Sequence, residues 1–164
     1  HETQLLIYML LMKANRGKLI NFRPERVEAR FVNASLTWEE RHRFEIDKQN
    51  WTGDPVFESL VERLIRDWGT CLSGSLYTQA ITENLGGDEA VEYKLPLLLD
   101  GQFVGDQRFR LFAPATAFSI TTFNRNELSK QESHLKKLVS ATQLNSMYWV
   151  NVGCHELIFK SIRT

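Results

Sequence analysis

The chain is 164 residues long, which suits one ordinary domain or one domain with part of another. Its 20 basic and 20 acidic side chains cancel, so no overall charge points to nucleic acid or a membrane, although neutrality is compatible with a local basic groove. The longest apolar run, residues 5–12, is too short to span a bilayer and lacks the features of a signal peptide. Cys71 and Cys154 are isolated and without a CxxC pattern, which predicts neither a zinc site nor a disulfide but a reduced, cytoplasmic protein.

The first elements in chain order are a helix, two strands and a linker. Apolar residues at helical spacing over 5–13 predict the helix, with Gly17 placed to stop it. Residues 34–50 are polar and of mixed charge, which indicates a linker with room for a short helix capped by Thr37 and Glu40. The two strands predicted between them lie at 18–22 and 27–32.

The rest of the chain predicts an α/β sheet. Asp54 as an N-cap and Pro55 at the first helical position begin a helix that Gly69 ends. Asp100-Gly101 is a strong signal for a hairpin turn. The further elements are a helix at 72–85, strands at 91–99, 102–112 and 116–123, a helix at 130–141, and strands at 148–152 and 157–162. The order from residue 72, α-β-β-β-α-β-β, predicts a mixed β-sheet flanked by helices.

The two ends of the chain form an internal repeat. When residue 1 is laid over residue 131 without gaps, the order helix, strand, strand coincides. The identities are Glu2 with Glu132, Leu5 with Leu135, Asn15 with Asn145, and Asn21 with Asn151. We interpret the stretches as two copies of one unit, of which the first lacks its front end. The predicted organisation is therefore a truncated first unit at 1–33, a linker at 34–53 and a second unit at 54–164.

The opening stretch resembles a known family. HETQLLIYMLLMKANRGKLINF is similar to the closing helix and strand of GxxExxY proteins, which belong to the PD-(D/E)XK nuclease superfamily. The stretch from Gln4 to Tyr8 matches the QxxxY motif of RecB-like nucleases in that superfamily. The resemblance implies that Gln4 and Tyr8 are auxiliary residues at the border of an active site. It also implies that the Glu, Asp and ExK segments would precede His1, so that His1 is expected to be an artificial or fragmentary start.

The second half resembles the whole core of the same family, the restriction-endonuclease-like core. The run Cys71-x-x-Gly74-x-x-Tyr77 falls where GxxExxY would, and only its Tyr77 is kept. Position by position, this chain has other residues where the family has its motif residues. Gly74 stands in place of the first Glu, Arg110 in place of the Asp, and Ile120 and Thr122 in place of the Glu and Lys of ExK. His134 and Leu138 stand in place of the Gln and Tyr of the QxxxY motif. The resemblance therefore implies a degenerate second unit.

The replaced residues bear on the chemistry of the family. Its nucleases hold a hard divalent cation with carboxylates on one sheet face, and a lysine helps position the attacking water. Residues 120 and 122 share a face in a strand, so Ile120 and Thr122 would stand opposite Arg110, which repels Mg²⁺. The resemblance is to a metal-dependent nuclease, yet this chain lacks the Asp and ExK residues and is expected to be inactive alone. It implies no metal or cofactor here, and Mg²⁺ only for an intact upstream unit.

Two functions follow as hypotheses. The first is the C-terminal portion of a PD-(D/E)XK nuclease-like protein, whose degenerate unit has a structural or nucleic-acid-binding role. Lys94, Arg108 and Arg110 are then candidate phosphate contacts, with ordinary sheet-surface charge as the alternative. The second is a non-catalytic interaction or oligomerisation module, in which an open sheet edge pairs with the missing N-terminal part or a second protomer. Neither hypothesis involves a membrane.

Several residues also have plainer explanations. Gln4 with Tyr8, and His134 by itself, fit as solvated polar residues on helix faces. Cys154-His155 is too small a set for a zinc site. The acids that cluster around the hairpin turn fit a solvated loop better than a cation site: Glu89, Glu92, Asp100 and Asp106.

Overall fold

The structure, a computed structural model, describes residues 2–22, 26–33 and 36–163. The expected start at His1 and positions 34 and 35 of the predicted linker lie outside the described residues. The chain divides into two compact units, His1–Arg43 (unit 1) and Phe44–Thr164 (unit 2). None of the helices in the described ranges combines the length and the apolar character needed to cross a bilayer.

The described elements alternate between helices and strands. The helices are α1 (Glu2–Leu11), α2 (Trp38–Arg41), α3 (Pro55–Trp68), α4 (Gly74–Asn84), α5 (Asp88–Val91) and α6 (Arg125–Ser140). The strands are β1 (Arg16–Asn21), β2 (Glu28–Asn33), β3 (Glu45–Asn50), β4 (Glu92–Leu99), β5 (Gln102–Ala113), β6 (Thr116–Thr121), β7 (Ser146–Val152) and β8 (Glu156–Arg163). The predicted order α-β-β-β-α-β-β is confirmed, with the small helix α5 added before β4.

Unit 1 consists of α1, an antiparallel hairpin of β1 and β2, and α2. Helix α1 ends at Leu11, so the prediction that Gly17 stops it is wrong. Gly17 instead lies in β1 beneath the helix, where a Cβ would come within 2.7 Å of Met9 Sδ. A glycine at this position therefore lets the helix approach the strand closely. The expected cap of α2 is confirmed: the Glu40 amide donates to Thr37 Oγ1 at 3.2 Å, and the Thr37 amide donates to Glu40 Oε2 at 2.8 Å.

Unit 2 is an α/β unit built on a mixed six-stranded sheet in the order β3-β8-β7-β6-β5-β4. Strands β4, β5 and β6 form an antiparallel meander, and α6 then connects β6 to β7, which runs parallel to it. Strand β8 is antiparallel to β7, and β3 joins β8 in parallel as an edge strand. The interval 34–53, predicted as a linker, thus contains both α2 and β3. Strand β3 was not predicted because an edge strand buries few of its side chains, and Ile46 is the one apolar residue in its sequence.

Helices cover both faces of the sheet. On one face α3 and α4 pack against alternate residues of the central strands, and on the other face α6 packs against the residues between them. The first cluster includes Phe57, Val61, Ile65, Tyr77 and Ile81 from the helices with Phe118, Ile120, Val150, Val152, Leu157 and Phe159 from the sheet. Helix α3 begins as predicted, with Asp54 Oδ1 accepting a hydrogen bond from the Val56 amide at 2.6 Å and Pro55 at the first position.

The internal repeat has the same strand register in both copies. In unit 1 the pairs run from Arg16 with Asn33 to Asn21 with Glu28. In unit 2 the corresponding pairs run from Ser146 with Arg163 to Asn151 with Ile158. The offset is 130 residues for every pair of β1 and β2, and each hairpin follows a helix. A shared register over whole hairpins supports the interpretation of two copies far better than the few identities do.

Candidate nucleic-acid interface

A notch opens where β5 and β6 part. Strand β5 pairs with β6 from Arg110 onward, whereas its earlier residues, all within the described part of the chain, pair with β4 alone. Strand β6 continues to Thr121 along β7. The space between the parted strands is a cavity of about 210 Å³, with Thr78 of α4 and Leu138 of α6 among its lining residues. The sheet therefore offers a concave site between two helices.

Two of the degenerate motif positions line this notch, and two more lie next to Ile120. Arg110 and Ile120 both line the cavity. Gly74 lies at the start of α4, where a Cβ would stand 3.5 Å from the Thr122 side chain and 3.8 Å from the Ile120 carbonyl oxygen. Gly74 is far in sequence from Ile120 and Thr122, and it lies next to them because α4 packs on β6. His134 is the exception, since it lies exposed on α6 and does not line the cavity.

Arg110 is held in place by carboxylates. Its Nη2 donates to Glu92 Oε1 at 2.7 Å and lies 3.8 Å from Asp88 Oδ1. Its Nε is buried without a hydrogen-bond partner among the described residues. Arg108 is held more loosely, with Nη1 at 4.0 Å from Glu92 Oε2. The resemblance aligns Arg110 with a metal-binding Asp. Its fixed guanidinium group is suited to binding an anion rather than a cation.

Three basic residues lie side by side on the face of the sheet that α4 covers farther along. Lys94 of β4 pairs in register with Arg108 of β5, and Glu92 pairs with Arg110. Residues two apart in a strand share a face, so Lys94, Arg108 and Arg110 lie together on this face with Glu92 among them, and we call the three basic residues the basic row. Lys94 and Arg108 are exposed, and Arg110 is partly buried. Such a row can contact phosphate groups from one side of the notch.

The acids near the hairpin do not gather into a ligand set. Within residues 2–22, 26–33 and 36–163 no group of three or more His, Cys, Asp or Glu side chains is arranged to hold a metal ion. Glu92 and Asp88 face Arg110 instead. The carboxylates nearest the notch are therefore engaged in ion pairs with Arg110.

Gln4 and Tyr8 lie on one face of α1, as their spacing predicts. Gln4 Nε2 donates to Tyr8 Oη at 3.2 Å, and both side chains are exposed. They belong to unit 1, and the degenerate positions belong to unit 2. The pair Gln4 and Tyr8 and the degenerate positions therefore lie in different units.

The two cysteines are bonded to each other, so the prediction of isolated cysteines is wrong. Cys71 precedes α4, Cys154 lies between β7 and β8, and their disulfide closes a separation of 83 residues. The same region is fixed by Tyr77, whose hydroxyl donates to the Gly69 carbonyl at 2.8 Å and accepts from the Leu72 amide at 3.1 Å. The bond excludes the Cys154-His155 ligand pair. Two cysteines so far apart give no sequence signal for pairing, because only the fold brings them together.

Asn151 is a buried polar residue whose structural role the sequence analysis did not recognise. Its Oδ1 accepts hydrogen bonds from Thr121 Oγ1 and the Phe123 amide, both at 2.8 Å, and its Nδ2 donates to the Phe123 carbonyl at 3.0 Å. Trp149 Nε1 donates to Thr121 Oγ1 at 2.8 Å. The network fixes the end of β6 and the backbone on both sides of Thr122. In the sequence, only the match of Asn21 with Asn151 in the repeat pointed to a structural role for Asn151.

Comparisons with known proteins add no relative: no family model, no curated protein and no solved structure matches the chain. The class that the structure itself defines is an α/β protein with a mixed six-stranded sheet flanked by helices.

Proposed function

We propose that unit 2 is a catalytically degenerate PD-(D/E)XK nuclease-like unit that binds nucleic acid through the basic row, as the C-terminal portion of a GxxExxY-type protein. The observation that carries the proposal is that Arg110 and Ile120 line the notch, with Gly74 and Thr122 next to Ile120. These are the positions that correspond to the catalytic Glu, Asp and ExK residues of the family.

The order of elements supports this proposal. The run α4-β4-β5-β6-α6-β7 contains a helix, an antiparallel three-stranded meander, a crossover helix and a strand parallel to the last one. This is the arrangement that the resemblance to the nuclease core implies. Likeness of fold alone does not establish function, so we infer nucleic-acid binding from the side chains at the notch.

The charges at the notch favour weak, salt-sensitive binding. Arg110 is engaged by Glu92 and Asp88, which leaves Lys94 and Arg108 as the exposed members of the basic row. A few phosphate contacts without base recognition give dissociation constants of about 10⁻⁴ to 10⁻⁶ M at physiological salt. Since the guanidinium of Arg110 replaces a metal-binding Asp in the resemblance, binding without cleavage is the activity that we propose.

The test is fluorescence anisotropy of labelled 20-nucleotide single- and double-stranded DNA with the full chain at 50 and 200 mM NaCl. We expect binding that weakens with salt. In the double variant Lys94→Ala with Arg108→Ala, we expect about tenfold weaker binding at 50 mM NaCl. The slope of the logarithm of the binding constant against the logarithm of the salt concentration should be shallower by about 2, because two phosphate contacts are lost.

The control for this test is Arg63→Ala with Arg66→Ala on α3. Arg66 is 63% exposed against 71% for Arg108, so the control removes a similarly solvated charge elsewhere. Equal weakening by the two double variants, or binding that is insensitive to salt, contradicts the proposal. Cleavage of plasmid DNA with Mg²⁺ that is lost in Glu92→Ala or Asp106→Ala also contradicts it, since it would require an active site that we do not place.

The second candidate function is an interaction or oligomerisation module. It is favoured by β4, which forms an open edge of the six-stranded sheet, and by exposed Phe103 and Val104 on the adjoining hairpin. Size-exclusion chromatography with light scattering tests it. A chain that stays monomeric at high concentration argues against self-association through this edge.

The cytoplasmic location stays a prediction, and the disulfide between Cys71 and Cys154 provides its test. Disulfides persist mainly outside reducing compartments. Alkylation of free thiols in intact cells, followed by mass spectrometry, distinguishes a reduced pair of cysteines from a disulfide. Alkylated Cys71 and Cys154 agree with the cytoplasm, whereas a protected, oxidised pair contradicts that location.

A further inference from the structure

An apolar face of unit 1 lies open to solvent. It consists of Ile20, Phe22, Val27 and Phe31, which we call the hairpin face. Helix α1 packs on the opposite side of the hairpin, over Gly17. We propose that the hairpin face binds an amphipathic α-helix of a partner polypeptide, with acidic residues beside the apolar stripe of that helix. The inference is independent of nucleic-acid binding by unit 2.

The internal repeat indicates what covers such a face. With the offset of 130 residues, Ile20 corresponds to Val150, Phe22 to Val152 and Val27 to Leu157. In unit 2 these equivalents belong to the hydrophobic cluster that α3 and α4 supply from above the sheet. The hairpin is thus the same structural element in both units, and in unit 2 the matching face is covered by amphipathic helices.

The burial of the two faces differs sharply. Val152 and Leu157 are buried, whereas Phe22 is 75% exposed and Val27 is 64% exposed. A run of large apolar side chains on one exposed face is typical of a binding surface rather than of a free protein surface. Ile20, Phe22 and Val27 therefore keep the apolar character of a covered face although they are exposed.

The charges around the hairpin face define the partner further. The Arg16 guanidinium lies 3.8 Å from the centre of the Phe31 ring, and Lys18 Nζ lies 5.5 Å from it. Both cations therefore flank the face. In unit 2 the helix α3 places Glu58 and Glu62 against Lys48 of the neighbouring strand β3. A partner helix that presents glutamates beside its apolar stripe, as α3 presents them to Lys48, would pair with Arg16 and Lys18.

The probe for this proposal is a labelled synthetic peptide of residues 54–69, the sequence of α3, added to the full chain. It carries the apolar stripe and both glutamates. We expect saturable binding, a gain of helical circular dichroism on binding, and at least tenfold weaker binding to the variant Phe22→Ser with Val27→Ser. We expect Lys18→Glu to weaken binding severalfold, and a peptide with Glu58→Lys and Glu62→Lys to reverse that preference.

The matched control is Phe103→Ser with Val104→Ser, which changes apolar residues that are 62% and 55% exposed in unit 2. It should leave peptide binding unchanged, and a scrambled peptide should not bind. No saturable binding of the α3 peptide overturns the proposal. So does self-association of the full chain that Phe22→Ser with Val27→Ser abolishes, because the occupant is then a second copy. Salt-sensitive oligonucleotide binding lost in Phe22→Ser with Phe31→Ser overturns it in favour of nucleic acid.

Discussion

Asn151 shows how one buried polar side chain positions a site that it does not enter. It lies almost fully buried on β7, and it satisfies both its oxygen and its amide nitrogen with groups at the end of β6. A buried amide is tolerated only when its hydrogen bonds are made. The network therefore determines where β6 ends, and with it the placement of Thr122 beside Gly74.

Asn151→Ala should lower the free energy of unfolding by about 1–3 kcal/mol, because the Phe123 backbone groups and the Thr121 hydroxyl lose buried partners. Urea unfolding followed by circular dichroism measures the change. Asn145→Ala is the control, since Asn145 is exposed in the turn before β7. Equal effects of the two substitutions would show that the network does not stabilise the fold.

Glu132 gives a pH dependence with a defined sign. Lys136, and next Lys160 at 2.5 Å, hold the pKa of Glu132 below its ordinary value near 4.5. The carboxylate therefore favours the folded state when it is charged. This contribution is present above the ordinary value and is lost as the pH falls through the lowered pKa.

We therefore expect Glu132→Gln to be less stable than the unchanged chain at pH 7 and the difference to shrink as the pH falls below about 4.5. Urea unfolding at pH 7, 5 and 3 measures it. Glu89→Gln, which changes an exposed acid on α5, is the control. A stability difference that stays constant over this pH range contradicts the assignment of the two lysines as partners of Glu132.

At the scale of elements, local signals determined where α2 and α3 begin, but not where α1 ends or where α6 begins, since α6 starts at Arg125 and not at residue 130. The N-cap Asp54 with Pro55 and the capping box of Thr37 with Glu40 depend on residues within one helical turn, and the structure confirms both. Strand β3 depends on β8, which follows it by more than a hundred residues. Its polar sequence has no local pattern that predicts this pairing, which is why the interval was predicted to be a linker.

The disulfide joins the start of α4 to the turn after β7 and should stabilise unit 2. A bond that closes a loop of 83 residues restricts the unfolded chain, and the loss of such a bond typically costs about 2–4 kcal/mol. Reduction with dithiothreitol, or Cys71→Ser with Cys154→Ser, should therefore lower the melting temperature. Thiol titration of the native, unreduced chain should find neither cysteine reactive. Two reactive thiols before reduction contradict the bond.

At the scale of the whole molecule, the chain divides after Arg43, which lies inside the interval 34–53 that the sequence suggested as a linker. Unit 2 contains the whole six-stranded sheet and both of its hydrophobic clusters. We expect a fragment of residues 44–164 to fold cooperatively by itself. A fragment of residues 54–164 should be less stable, because it lacks β3 and leaves the edge of β8 open.

Denaturant unfolding of the two fragments distinguishes the boundaries. The loss of β3 also removes Lys48, which pairs with Glu58 at 2.5 Å and with Glu62. These two carboxylates raise the pKa of Lys48, and Glu58 has the larger effect. Fragments of equal stability would show that β3 adds nothing to the sheet. A fragment 44–164 that does not fold would show that unit 1 is part of its stability.

The sequence by itself determined the order of elements from residue 72 apart from α5, the N-caps of α2 and α3, the hairpin turn at Asp100-Gly101 and the offset of the internal repeat. These features depend on neighbouring residues or on a pattern that the chain displays directly, which is why they could be read without coordinates. The convergence of Gly74, Arg110, Ile120 and Thr122, the carboxylates around Arg110, the bonded cysteines and the open hairpin face were decided by the tertiary structure. Each of these depends on which distant residues meet when the sheet and its helices pack, and no local pattern carries that information.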